Sequence, residues 1–349
     1  MEDDRFFAEV QVEPDAKNIL KYLARIEKQQ SRDCRIVCGY EAGCLGYSLY
    51  HQLHAHGIDC VILAPTTMMT KPGKRIKTDR RDARLISKCL AFHTYSPVYI
   101  PTEVDDAVKE YIRMRDDANS ALARVKQQII AFCIRHGKIH DGKSYWTNKH
   151  LEWLSSLDLG NKVLSEVLQE YLIRYYQLRE QVDMYDMRIN ELAQAEPYRQ
   201  KVEKLGCFRG IAAHTALSFC VEVGDFRRFA TAQQFASYLG LVPGECSSGD
   251  KQQYTGITKA GNSHLRKLLV ETAQVFGRSA TKSGKSVALK ERQAKCDSLT
   301  VAYADKANAR LKKKYFKIAM RSKVNIAKTA VAREMACFIW GMMTDNISC

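Results

Sequence analysis

The sequence predicts an α/β segment followed by a longer, mainly α-helical one. Two short apolar runs, Cys34 to Tyr40 (CRIVCGY) and Asp59 to Ala64 (DCVILA), flank a helical stretch, the order of a parallel strand pair within an α/β sheet. Beyond residue 100, apolar residues recur at steps of three and four through two long segments, the pattern of a helical hairpin. The last seventy residues are strongly basic and end in an amphipathic helix.

Taken in order, Arg5 to Val12 (RFFAEVQV) carries aromatic and β-branched residues and reads as a strand. Asp15 to Gln29 has helical spacing, with Ile19, Leu20, Leu23 and Ile26 on one stripe. Leu45 to His56 reads as a helix ending at Gly57, and Pro65 stops the strand that follows. A basic loop at 66–78 precedes a helix from Asp79 to about Phe92. One heptad-like stripe runs from Val104 through Val108, Leu122, Val125 and Ile129 to Phe132; a second runs from Leu168 through Tyr175, Val182 and Ile189 to Leu192. From Lys201, the stretch LGCFRGIAAHTALSFCVEVGD reads as helix, Gly-containing turn and helix. It resembles a helix-hairpin-helix, whose turn can offer backbone N–H groups to a phosphate. Residues 235–268 are rich in Gly, Ser and Lys and then become helical. A final helix is expected over roughly Lys328 to Trp340.

The formal net charge of +15 points to a polyanion as partner, or else to a merely soluble basic surface. No run is apolar enough to span a bilayer, and the acidic start (Glu2, Asp3, Asp4) does not resemble a signal peptide. The twelve cysteines include no CxxC pair, and several lie in apolar runs, as in a reduced cytoplasmic protein. Cys34, Cys38 and Cys44 fit no zinc spacing, and His51, His54 and His56 read as a solvated helix face.

Glu41 ends a predicted strand, where ligands of α/β sheets gather; a carboxylate there is either a helix N-cap or a metal ligand. Asp79 and Asp82, three apart at a helix start, share one face. They suit Mg²⁺, or they complement the helix dipole and pair with Arg80, Arg81 and Arg84. Lys71, Lys74, Arg75 and Lys77 just before them could hold a nucleic-acid backbone. Ser247 and Ser248 precede Gly249 in a polar loop, where a hydroxyl could act as nucleophile if activated. Lys259, His264, Arg266 and Lys267 nearby could bind a phosphate or simply face solvent.

Four stretches carry a family resemblance: GYEAGCLGYSLYHQL, then CVILAP, then KPGKRIKTDRRDARLIS, then YLGLVPGECSSGDKQQYTGITKAGNSHLRKLLVE. In this order and spacing the chain resembles the bridge-RNA-guided transposases of the insertion sequence 110 family, 1111 subgroup, from Arg5 to about Trp340. The resemblance implies a RuvC-like domain of ribonuclease H fold over 1–100, a coiled-coil insertion over 101–198 and a C-terminal transposase domain over 199–349. It further implies a catalytic Asp-Glu-Asp-Asp quartet plus serine, with Glu41, Asp79 and Asp82 in the quartet and Ser248, rather than Ser247, as the serine. Implied too are Mg²⁺, insertion-sequence and target DNA, a noncoding guide RNA, a homo-oligomer and a nucleoid-associated location.

The family's first aspartate lies on a first strand in a segment like GLDVHK, and Asp3 and Asp4 do not occupy that motif. The expectation is therefore a RuvC-like domain lacking its first strands, poorly stable and inactive in strand cleavage, from a late start codon or a decayed gene. The alternatives are a non-catalytic nucleic-acid-binding remnant, and a structure-selective junction nuclease that forms no protein–DNA adduct.

Overall fold

The computed structural model describes residues 6, 8–29, 35–43, 46–65, 68, 78–245, 254–278 and 284–347. Contacts divide the chain into two compact units, residues 1–100 and 101–349, and each is described by itself.

In the first unit, β1 (Val37–Glu41) and β2 (Asp59–Leu63) pair in parallel, with Glu41 opposite Leu63, as the apolar runs predict. Between them runs α2 (Ser48–Ala55). Strand side chains alternate between faces. Cys38, Tyr40 and Cys60 pack with α1 (Ala16–Gln29) and α2 around Leu49 and Leu53. Val61 and Leu63 face the other way and pack with Leu85, Ile86, Cys89 and Leu90 of α3 (Asp79–Phe92). Gly39 lies under this helix, because a Cβ there would come within 2.9 Å of the Leu90 side chain.

The predicted strand from Arg5 to Val12 is not formed: the described residues 8–13 are irregular, and Val10 and Val12 are exposed. β-Branched residues favour a strand only where a partner and a packing face exist, and the segment has neither among the described residues. It docks instead through Glu9, which accepts hydrogen bonds from Arg80 Nε (2.8 Å) and Arg84 Nη2 (2.9 Å), while Phe6 lies beneath Arg84 and Lys88.

The second unit opens with the expected hairpin. Its long arms are α4 (Glu103–Arg135) and α6 (Lys162–Gln194), joined through α5 (Asn148–Ser155). Leu122, Val125, Ile129 and Phe132 pack against Leu168, Leu172, Tyr175 and Val182. The stripe does not reach Val104, which is exposed at the helix start. Thr102 and Asn161 cap the two arms by accepting from Asp105 N and Val163 N.

The remaining elements surround one apolar core. They are α7 (Arg199–Gly206), α8 (Ala213–Val223), α9 (Ala232–Tyr238), the antiparallel pair β3 (Pro243–Glu245) and β4 (Tyr254–Ile257), α10 (Ser263–Ala273), α11 (Val287–Gln293), α12 (Ser298–Ala319) and α13 (Val324–Met343). Phe208, Phe219, Phe235 and Phe276 are its largest fully buried side chains. The last helix begins four residues before the expected Lys328, and Ala327, Val331, Met335 and Ile339 of it are fully buried.

The α7–α8 turn forms as predicted but points inward. Phe208 and Ile211 are fully buried, the Arg209 N–H donates to Asn308 Oδ1 (2.9 Å), and Gly210 packs on Thr272. The Arg209 donor therefore serves the core, while the start of α8 carries no side-chain cap.

Candidate catalytic site and nucleic-acid interface

In the first unit, Glu41 lies on the sheet face that α3 covers, because it is two residues from Gly39. The N-cap position of α2 is Tyr47, so Glu41 does not cap that helix. Thr78 caps α3 by accepting from Arg81 N, which leaves Asp79 and Asp82 in the first turn without a capping duty. Two of the arginines expected to pair with these aspartates, Arg80 and Arg84, are held by Glu9. Those guanidiniums, Arg84 first, lower the Glu9 pKa to about 2. Glu9 is a carboxylate that the strand reading overlooked; its octapeptide looked like sheet, and its partners lie some seventy residues away.

Three carboxylates offer the hard oxygens that a divalent ion takes. Among the described residues, however, no three such side chains converge closely enough to hold a metal ion. Glu41, Asp79 and Asp82 thus match a metal-binding set in chemistry but do not form an assembled centre.

In the second unit, Ser247 and Ser248 lie outside the described residues, as do Lys71, Lys74, Arg75 and Lys77 of the first. The stem that bounds the serine loop is defined. Thr258 N donates to Val242 O (2.9 Å), Lys259 N to Gly240 O (3.1 Å) and Asn262 N to Tyr238 O (2.9 Å). Gly240 and Gly261 have φ of +64° and +77°, and a Cβ on either would stand 2.1 Å from a carbonyl oxygen of the opposing segment (Ala260 for Gly240, Tyr238 for Gly261). Only glycine fits both the left-handed backbone and the close approach. Lys259, at φ +56°, adopts the same region with a full side chain and is exposed. Arg266 Nη1 donates to Leu239 O (2.9 Å) and Ala260 O (3.2 Å), so it fastens the base of the stem. Lys267 is exposed on the next residue.

Behind this stem lies a polar network that the sequence did not announce. Asn262 caps α10 through Leu265 N and donates from Nδ2 to Glu222 Oε2 of α8 (2.9 Å). Of His264, Nδ1 faces Glu222 Oε1 (3.2 Å) and Nε2 faces Asp116 Oδ2 of α4 (2.8 Å). Arg113 donates to Glu222 (2.8 Å), and Arg115 lies 3.1 Å from Asp116 while holding Asp186 of α6 with two bonds. His214 Nε2 lies 2.9 Å from the other Asp116 oxygen. Glu222 is the most buried member, its side chain only 6% exposed.

Burial alone would raise both carboxyls and lower the imidazole. Partners outweigh it. Glu222 falls to about 2 through His264, Arg113 and Asn262; Asp116 falls well below its usual value through His214, His264 and Arg115; and His264 rises to about 9 through the two carboxylates.

Comparison with known proteins places this chemistry. Residues 2–134 match a transposase profile of the DEDD type, and residues 203–292 match the profile described as Transposase IS116/IS110/IS902 family. The protein is an enzyme of the DNA transposase/recombinase class. It is 36% identical to the putative transposase y4qE of Sinorhizobium fredii over 88% of this chain and 75% of the relative. It is 32% identical to the transposase of insertion sequence element IS1533 of Leptospira borgpetersenii over 88% of both chains. A further relative, the IS1111A transposase of Coxiella burnetii, is 26% identical over 73% of this chain and 71% of its own length. The chain belongs to the IS116/IS110/IS902 transposase family. Its substrate class is therefore DNA, and the DEDD type points to divalent-metal use. Among the described residues no helix is long and apolar enough to cross a membrane.

Proposed function

We propose that this transposase cleaves and exchanges DNA strands of an insertion sequence through a serine nucleophile, Ser248. The observation that carries this reading is the glycine-locked stem around the loop at 246–253: two backbone crossings permit no Cβ, as suits a loop whose tip must be held in place. In the reaction, Ser248 Oγ bonds to a phosphate as one of its bridging P–O bonds breaks. The serine proton passes to solvent, and the departing sugar oxygen takes up another. The phosphoserine ester conserves the phosphate bond for rejoining to a second end. Lys259 and Lys267, with Lys71, Lys74, Arg75 and Lys77, supply cations for the backbone, while Arg266 secures the stem.

Glu41, Asp79 and Asp82 would hold Mg²⁺, which when bound offsets phosphate charge. The RuvC-like fold over 1–100, the coiled-coil insertion over 101–198 and the transposase domain over 199–349 belong to the same reading, as do a noncoding guide RNA that chooses sequence by pairing and a nucleoid-associated location. A second copy of the chain is supported by α6. Its exposed residues Ile173, Tyr176, Met184 and Met187 are arranged symmetrically about Glu180, so an antiparallel copy would set Ile173 against Met187 and Tyr176 against Met184.

The test is denaturing electrophoresis of the chain incubated with Mg²⁺ and its own insertion-sequence ends. Wild type should form a protein–DNA adduct and Ser248→Ala none, a result that would overturn the expectation that this chain is inactive in strand cleavage. Cleavage without any adduct would identify a junction nuclease, and binding without cleavage a nucleic-acid-binding remnant.

A further inference from the structure

We propose that His264, clamped between Asp116 and Glu222, is a positioning residue that fixes the Lys259–Asn262 turn and the start of α10 against α4, holding the β3–β4 stem in register for DNA. The proposal rests on the reading that this stem presents the loop engaged in strand transfer.

The geometry requires a cation at this point. Both ring nitrogens of His264 face carboxylate oxygens, and an ionised carboxylate only accepts. Each nitrogen must then carry a proton, so the ring is an imidazolium donating to two elements at once. Asp116 of α4 and Glu222 of α8 face the ring directly, and behind them stand Arg113 and Arg115 of α4, Asp186 of α6 and His214 of α8, with Tyr238 of α9 on Asn262. Counting His264 as charged, three cations (Arg113, Arg115, His264) balance three anions (Asp116, Asp186, Glu222).

The connection to the stem is direct. Glu222 holds Asn262 on one oxygen and His264 on the other, so one carboxylate sets both the cap of α10 and its second residue. Asn262 in turn donates to Tyr238 OH (3.2 Å), and its N–H bonds the Tyr238 carbonyl, the same oxygen against which Gly261 is pressed. A neutral imidazole at 264 has one N–H and can donate to one carboxylate but not both, and a glutamine carries its two N–H groups on a single nitrogen, so neither reproduces the link from Asp116 to Glu222 through opposite ring nitrogens.

Hydrogen exchange on the full chain, read over 254–268, together with affinity for its own insertion-end duplex, tests this. His264→Gln and Glu222→Gln should each speed exchange at Thr258–Leu265 by about tenfold or more, with α12 and α13 unchanged, and should weaken duplex affinity or adduct yield. Wild-type exchange, corrected for its intrinsic pH dependence, should loosen as pH rises through about 9, while His264→Gln shows no such step. Unchanged exchange in both variants would overturn the proposal. So would faster exchange with duplex affinity and adduct yield at wild-type values, since the network would then only hold the fold together. Ser248→Ala should leave exchange at wild type. If that variant still formed adducts, the serine assignment would fail while the exchange data still decided the role of His264.

Discussion

Glycine 261 shows how one residue can decide the stem. Its backbone lies at φ +77°, and a methyl group would sit 2.1 Å from the Tyr238 carbonyl oxygen. Gly261→Ala is expected to cost more than about 2 kcal/mol, combining a left-handed backbone penalty with a backbone clash; a lowered melting temperature checks it. The His264 cluster gives a prediction with a definite sign. A folded pKa raised from 6.5 to about 9 means that the imidazolium contributes fully below 6.5 and that this contribution is lost as pH rises through about 9. Unfolding midpoints should therefore fall across that window in wild type and remain flat there in His264→Gln. Removing the charge of Glu222 should cost on the order of 3 kcal/mol, because the largely buried His264 imidazolium loses one of its two carboxylates. At this scale the sequence was legible where the relation is local. Asp79 and Asp82 could be placed on one helix face from their spacing alone, whereas Asp116 and His264 lie 148 residues apart and no pattern joins them.

Elements were legible in proportion to how much of their pattern is buried. The parallel pair β1–β2 and the hairpin α4–α6 follow the apolar spacing, because each packs its apolar side chains against neighbouring helices. Ile129, fully buried at the centre of the α4–α6 contact, should lose about 2–5 kcal/mol on truncation to alanine, measured by denaturant unfolding. The segment from Arg5 to Val12 had strand composition, but its described residues 8–12 take an irregular path, since side-chain propensity cannot supply a neighbouring strand. The short β3–β4 pair went unread for the opposite reason. Its residues, Pro-Gly-Glu and Tyr-Thr-Gly-Ile, carry little alternation, and the hydrogen bonds around Gly240 and Gly261 define it rather than an apolar face. The α7–α8 turn was correctly placed, because Gly210, at φ +87°, signals a turn, although it does not say which way that turn faces.

For the whole molecule, the excess of 54 Lys and Arg over 39 Asp and Glu made a polyanion plausible, and family membership makes it DNA. What charge could not reveal is the division of labour among the cations. Arg80, Arg84, Arg113, Arg115 and Arg266 are bound to partners within the fold, while Lys259 and Lys267 stand exposed beside the stem. The central claim is covalent: a serine of the 246–253 loop takes the DNA phosphate. It is tested most directly by trapping the complex with insertion-end DNA, digesting both components and mapping the nucleotide remnant by mass spectrometry. The expected result is a phosphonucleotide on Ser248. A remnant on another side chain, or cleaved DNA with no remnant on the protein, would contradict serine attack.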